Sequence, residues 1–351
     1  MIDSLQSLGL VPFFTRQLSD TGLIHDRLGR VMAVQHSESM VVTATGELSV
    51  GLSPGLQQAD AIARPTVGDW VVLDDAHTRI EQVLDRKSLF KRLGAGSNAL
   101  IQPIAANIDI LFIVSSCNEE FKESRLERYL ALCAEAGAIP VIVLTKADLA
   151  DDADAFIQRA RRVQPGVPVE IVNALDAESL AGLSAWIDKA ATVALVGSSG
   201  VGKSTLLNTL AGNVVAETGG IREQDKKGRH TTTHRELHVL PCGGLLIDVP
   251  GMRELRVADI EDALDSVFED IAQLALQCRF ADCGHQAEPG CAVRRAIEES
   301  RLDERRLANY QKLLRENAHA TATLAEKRSQ GRDFAKLIKQ VKQIKKNKGN
   351  A

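Results

Sequence analysis

The segment that most limits what this chain can become is Gly197-Ser198-Ser199-Gly200-Val201-Gly202-Lys203-Ser204, which fits G-x-x-x-x-G-K-[ST] and runs on into Thr205. It follows the apolar run Val193–Val196 and precedes Leu206, Leu207 and Leu210. A strand, a glycine-rich turn and a helix in that order let successive backbone N–H groups and a helix N-terminus close around phosphates. In such a loop Lys203 reaches the β- and γ-phosphates, and Ser204 ligates Mg²⁺.

The surrounding pattern is that of a parallel sheet with helices between its strands. Ile108–Ser115, Pro140–Leu144, Val169–Val172, Val193–Val196 and Leu245–Val249 read as buried strands, and Ser124–Ala136 has helical spacing through Leu126, Tyr129, Leu130 and Cys133. Upstream, Arg30–Val34, Met40–Thr43, Leu48–Val50 and Val67–Leu73 are short β-branched runs punctuated by Gly46, Gly51, Pro54-Gly55 and Gly68-Asp69. Short strands at close spacing predict a small β-barrel. Beyond Gly251 the spacing turns helical: Ile260, Leu264, Val267, Phe268, Ile271 and Leu274 form one run. A further helix is expected from Leu302, with Ser300-x-x-Asp303 as its start signal and Leu307, Tyr310 and Leu314 on one face. The expectation is a multidomain chain with a barrel over residues 1–100, including an N-terminal extension, an α/β domain over 101–257 and a helical domain over 258–351.

At 351 residues, with 44% apolar and 25% charged residues, the chain can bury a core without disulfides. Its longest apolar stretches, Ile110–Val114 and Ala138–Leu144, fall far short of the ~18 residues a membrane span needs. Met1-Ile2-Asp3-Ser4 lacks the charged-then-apolar start of a secretion signal, so a cytoplasmic protein is expected. From Lys327 onward nine Lys/Arg face one acid, Asp333, so a +8 arm hangs on a body of −12 within a net charge of −4. That asymmetry points toward a polyanionic partner, while a solvated, frayed tail is the plainer reading, and charge alone weighs the two about evenly.

Two further motifs belong with a phosphate loop. Asp248-Val249-Pro250-Gly251 ends an apolar strand, where the carboxylate can hold the Mg²⁺ shell and the Gly251 N–H can meet a γ-phosphate. Thr145-Lys146-Ala147-Asp148 matches [NT]KxD, in which Asp148 accepts from N1–H and N2–H₂ of guanine, a donor pair adenine lacks. Asn173-Ala174, after the third strand, suits a backbone contact to the base. The order is unusual, because the guanine motif precedes the phosphate loop and DxxG comes last, as in a circular permutation. The chain therefore runs from Gly251 straight into the C-terminal domain, a short lever for nucleotide state. Glu217–Thr233 is a polar segment ending in Arg229-His230-Thr231-Thr232-Thr233, suited to a switch in which a threonine, Thr232 for preference, ligates Mg²⁺. Met252 stands where a Ras-like enzyme has the glutamine that orients water.

Cys278-x4-Cys283-x-His285-x5-Cys291 places four soft or borderline ligands in fourteen residues, a set suited to one tetrahedral structural zinc ion. Cys117 and Cys133 lie in apolar segments as buried thiols, and Cys242 is unassigned.

Taken together, TKAD at 145–148, GSSGVGKST at 197–205, GRHTTT at 228–233, DVPG at 248–251 and the cysteine cluster resemble the circularly permuted, ribosome-associated GTPases called RsgA, also YjeQ or YloQ. The resemblance implies an OB-fold barrel, with Val67-Gly68-Asp69-Trp70-Val71 as one of its strands, and the same zinc cluster. It implies binding of GTP or GDP with Mg²⁺ and GTP hydrolysis late in maturation of the small ribosomal subunit, whose rRNA would be the partner of a monomeric chain. It suggests His230 in place of the missing glutamine, with His234 and His238 as rivals. Three other readings stand beside it. One is a nucleotide-gated RNA-binding module with negligible turnover, which Met252 favours; another is an ATP-preferring P-loop enzyme. The third is a zinc enzyme, which four protein ligands disfavour because no position is left for water.

Overall fold

The computed structural model describes residues 5–21, 25–35, 38–93, 101–187, 189–212, 236–248 and 260–321. Helix α1 (Pro12–Thr21) leads into β1 (Leu28–Gln35), β2 (Glu38–Thr43), β3 (Gly46–Leu52), the short α2 (Pro54–Gln58), β4 (Trp70–Leu73) and β5 (Arg79–Val83). These strands pair in the order β1-β2-β3-β5-β4, and β4 returns to β1 through Leu28↔Val72, so the sheet closes. Alternate residues point inward, and Val31, Val41, Val50, Val71, Leu73 and Ile80 fill the interior. A closed five-stranded barrel with β3 parallel to β5 is of the OB type that the resemblance implies.

A two-stranded ribbon, β6 (Leu89–Leu93) and β7 (Ile101–Ala106), follows the barrel. Then come β8 (Ile110–Ser116), α3 (Glu123–Ala136), β9 (Ile139–Thr145), α4 (Ala153–Val163), β10 (Val169–Ile171), α5 (Ala181–Ser184), β11 (Thr192–Gly197), α6 (Lys203–Ala211), β12 (Glu236–Val239) and β13 (Leu245–Asp248). The sheet order is β10-β9-β8-β11-β13-β12, parallel except for β12. Both faces are covered, which is why the strands read as continuous apolar runs. Leu111, Ile113, Ile142 and Leu144 pack on the side of α3 and α4, while Phe112, Val114, Val141 and Val143 pack on the side of Leu183, Leu206 and Leu207 from α5 and α6.

Four helices complete the described chain: α7 (Glu261–Val267), α8 (Glu269–Ala275), α9 (Ala292–Glu298) and α10 (304–321). Here the structure corrects two expectations. The single helical run through Ile260–Leu274 is broken at Phe268, whose φ of −107° and ψ of 40° are not helical. Phe268 is fully buried, 5.2 Å from the Tyr310 ring and under the Arg306 guanidinium at 4.8 Å, so its burial outweighs helical continuity. Ser300 does not start α10. It lies in the left-handed region (φ 58°), where the Arg301 N–H reaches back to the Ala296 carbonyl at 2.8 Å and closes α9. Asp303 takes the cap position of α10, its carboxylate accepting from the Arg305 N–H at 2.8 Å.

Two buried cations join the parts. Arg30 donates to the carbonyls of Leu8, Gly68 and Asn107 and to the Thr192 hydroxyl, tying the N-terminal segment, the barrel and β11 at one point. Burial pushes its guanidinium down to about 10. At the other end Glu127 of α3, fully buried, accepts from Arg305, Arg306 and Asn309 of α10. Arg306 also meets Asp270 and the carbonyls of Val163 and Val267.

Candidate nucleotide site and candidate metal centre

All five parallel strands end on one edge of the sheet, where α/β folds bind their ligands. β11 runs beside β8 with Gly197 opposite Val114, and β8 beside β9 with Ser116 opposite Thr145, so the loops after β9 and β11 leave from the same edge, two residues apart along β8. Asp248 ends the adjacent β13. Motifs about fifty residues apart in sequence thus meet at the mouth of one crevice.

Packing at Gly197 and a left-handed backbone at Gly202 explain two of the loop's glycines. Gly197 has a φ of +150°, and a Cβ there would lie 2.2 Å from the Val114 carbonyl oxygen. Gly202, at φ +91°, opens α6 with its Cα side against Thr145, where a Cβ would lie 3.6 Å from Oγ1. Lys203 is largely buried and its ammonium donates to the Ser198 carbonyl, while Ser199 and Gly200 are exposed and Ser204 and Thr205 half-buried at the first turn of α6.

The guanine motif is bonded directly to that loop. The Thr145 hydroxyl, with no exposed surface, lies 2.6 Å from the Val201 carbonyl and 3.2 Å from that of Ser115. Lys146 takes a left-handed conformation (φ 58°), and its Nζ donates to the Gly200 carbonyl at 2.8 Å. Asp148 is exposed on the helical turn that follows. Asn173 forms a turn, its N–H donating to Ser179 Oγ at 2.8 Å and its Oδ1 accepting from the Leu175 N–H at 3.0 Å. The buried Ala174 accepts at its carbonyl from Thr209 Oγ1 of α6 at 2.7 Å. The base-contact turn and the phosphate-loop helix are therefore held together too. Within the guanine motif the Thr145 hydroxyl is turned to the phosphate loop, and the only signal for its burial was its place as the last residue of an apolar strand.

His230, Thr232 and Gly251, with the rest of the switch at 217–233, Met252 and His234, lie outside the described residues. His238 is on β12 opposite Leu246, two residues along the strand from the Glu236–Asp248 pair and so away from the loop edge.

Cys278, Cys283, His285 and Cys291 bring their four ligand atoms within 4.8 Å of one another. Cys278 Sγ lies 3.7 Å from His285 Nδ1 and 3.9 Å from Cys291 Sγ, which is itself 3.5 Å from that nitrogen. Burial opposes ionisation of Cys278, but the N–H groups of Ala292 and Val293 and the neighbouring thiols outweigh it and bring the thiol below its ordinary value. Desolvation and the adjacent Cys291 and Cys278 sulfurs push Cys283 up to about 11, so a second thiolate is resisted without a cation. Three convergent sulfurs and an imidazole nitrogen fit a zinc ion by donor type, number and proximity. Cys117 and Cys133 are buried, and burial pushes them up to about 11 and about 12.

The fold and the crevice together define a P-loop GTPase whose motifs occur in circularly permuted order. A profile of the RsgA GTPase family matches residues 83–258. A profile of ABC transporters also matches residues 180–348, a stretch that holds the phosphate loop common to P-loop proteins but not the guanine motif. "Small ribosomal subunit biogenesis GTPase RsgA 2" of Vibrio parahaemolyticus is 49% identical over 96% of this chain and 92% of its own. "Small ribosomal subunit biogenesis GTPase RsgA" of Mesorhizobium japonicum is 45% identical over 91% of both. Among solved structures, YjeQ from Thermotoga maritima matches with a TM-score of 0.60 and 28% identity over 83% of this chain and 98% of that one. YloQ, described as a circularly permuted GTPase, matches at 0.58 and 25% over 82% and 94%. The chain belongs to the RsgA GTPase family and is a GTP hydrolase. Among the described residues no helix is long and apolar enough to cross a membrane.

Proposed function

We propose that this GTPase acts in the cytoplasm, as a monomer, late in maturation of the small ribosomal subunit, and that the subunit and its rRNA stimulate hydrolysis. The observation that carries the site reading is the direct bonding of the guanine motif to the phosphate loop through Thr145–Val201 and Lys146–Gly200. Two loops joined this way are preorganised to hold base and phosphates of one molecule. The names of the relatives supply the small subunit.

In this reading residues 197–205 cradle the phosphates, with Lys203 toward the β- and γ-phosphates and Ser204 on Mg²⁺. Asp148 reads the guanine edge, Asn173 and Ala174 border the base, and Asp248 supports the Mg²⁺ shell. Thr232 as second Mg²⁺ ligand, Gly251 as γ-phosphate sensor and His230 as orienter of water rest on the sequence alone. Residues 1–100 form the barrel domain, 101–257 the GTPase domain and 258–351 the zinc domain with its basic arm. One structural zinc ion is held by Cys278, Cys283, His285 and Cys291.

The test is sedimentation with separated ribosomal subunits in GDP and in a non-hydrolysable GTP analogue, paired with single-turnover hydrolysis with and without small subunits. Preferential small-subunit association with the analogue, and faster hydrolysis on the subunit, are the expected results. Equal association with both subunits in both nucleotides sinks the ribosomal reading. Association without acceleration favours a gated binding module, to which Met252 points.

A further inference from the structure

The zinc loop is held from inside by a residue that is not one of its four ligands. The Glu288 carboxylate turns back over the loop: Oε1 accepts the Gly284 N–H at 2.9 Å, and Oε2 accepts those of Gln286 and Ala287 at 2.8 and 3.0 Å. These donors lie on both sides of His285, whose backbone is in the left-handed region (φ 56°), a conformation few non-glycine residues take but one that histidine takes more often than most. The Glu288 carbonyl in turn accepts from the Cys291 N–H at 3.3 Å, and the Gly284 carbonyl accepts from Gln311 Nε2 of α10 at 3.0 Å. One side chain thus gathers three N–H groups around His285 while its own backbone meets the next ligand.

We infer that Glu288 is a positioning residue for the metal centre: by binding the N–H groups of Gly284, Gln286 and Ala287 it holds His285 in the left-handed conformation that turns Nδ1 toward the sulfurs of Cys278 and Cys291. The inference rests on the zinc reading above. Its physical basis is general. A ligating loop ordered before the metal arrives loses less entropy on binding, and groups that orient a ligand are worth about 10- to 100-fold in metal affinity. Only an ionised carboxylate suits this place, since it accepts at both oxygens, whereas an amide would turn a donor toward N–H groups.

The experiment uses the full chain, wild type and with Glu288→Ala or Glu288→Gln, loaded with zinc and titrated with a coloured zinc chelator. Parallel samples are loaded with cobalt(II), whose absorption reports the ligand set. Glu288→Ala is expected to bind zinc about 10- to 100-fold more weakly and to show a cobalt spectrum altered by a loosened imidazole. Glu288→Gln, which keeps one acceptor oxygen, should fall between. GTP affinity measured on the same samples reports that the rest of the chain is folded. If Glu288→Ala does not fold, Glu288→Gln decides. Wild-type zinc affinity and cobalt spectra in the variants overturn the inference while leaving the zinc reading intact. A wild-type chain that takes up neither metal overturns both.

Discussion

Asp148 is exposed and Thr145 is sealed, although they belong to one four-residue motif. The difference divides their work. Asp148 is free to meet a base, and a carboxylate there accepts two charge-assisted bonds, each worth about 1.5–3 kcal/mol. Asp148→Asn offers one acceptor and one donor, the pattern xanthine requires. Guanine nucleotide affinity is expected to fall at least about 100-fold, with xanthosine triphosphate becoming the better ligand, as read by titration calorimetry. Unchanged preference would remove Asp148 from the base site. Thr145 acts through the phosphate loop instead. Thr145→Val leaves the Val201 carbonyl without its buried donor, at a cost of about 1–3 kcal/mol. GTP and GDP should weaken alike, with guanine preference kept, and Thr145→Ser should restore most of the loss. A change in base preference would show contact with the nucleotide. At this scale the sequence was informative about which residues converge, because each motif sits at a strand end. It could not show that Thr145 points into protein and Asp148 out of it, since both are short polar residues.

Helices and strands differed in how much of them could be read beforehand. The parallel strands β8, β9, β11 and β13 announce themselves because both faces are buried and no polar residue interrupts them. The barrel strand β5, the ribbon strands β6 and β7, and β12 went unread: β5, β6 and β12 are short and mix charged with apolar residues, as in Arg79-Ile80-Glu81-Gln82-Val83, and β7 carries Gln102 and Pro103. Phe268 breaks what looked like one helix because tertiary burial overrides periodicity. Nor could any pattern reveal that Glu127, on the helix α3, would be fully buried among Arg305, Arg306 and Asn309. Removing one member of such a cluster leaves buried charge uncompensated, at about 3–5 kcal/mol. Glu127→Ala is expected to lower the urea midpoint of unfolding and to speed hydrogen exchange in α10, with GTP affinity unaltered. Wild-type exchange in α10 would show that apolar packing alone seats that helix.

The molecule as a whole carries its charge unevenly. Nine Lys/Arg and one Asp lie between residue 327 and the end. Each phosphate neutralised by such cations steepens the salt dependence of RNA binding, by about 0.7–0.9 in log–log slope. A chain ending at residue 326 is therefore expected to bind small subunits with a shallower dependence on salt, while turnover of the free enzyme stays the same. An identical slope would mean that the arm does not touch RNA. Another whole-molecule feature is the junction of the nucleotide half with the barrel, where β12 meets β1 and, among the described residues, Ala33 pairs with Glu236. The outermost strand of an open sheet is a template on which a stranger's chain can extend the ladder. Here that flank, over its described residues Glu236–Val239, carries an acidic side chain and is met by β1. Whatever the barrel grips, it also shields its neighbour from clumping, and a nucleotide half stripped of it would lose solubility before it lost its ligand.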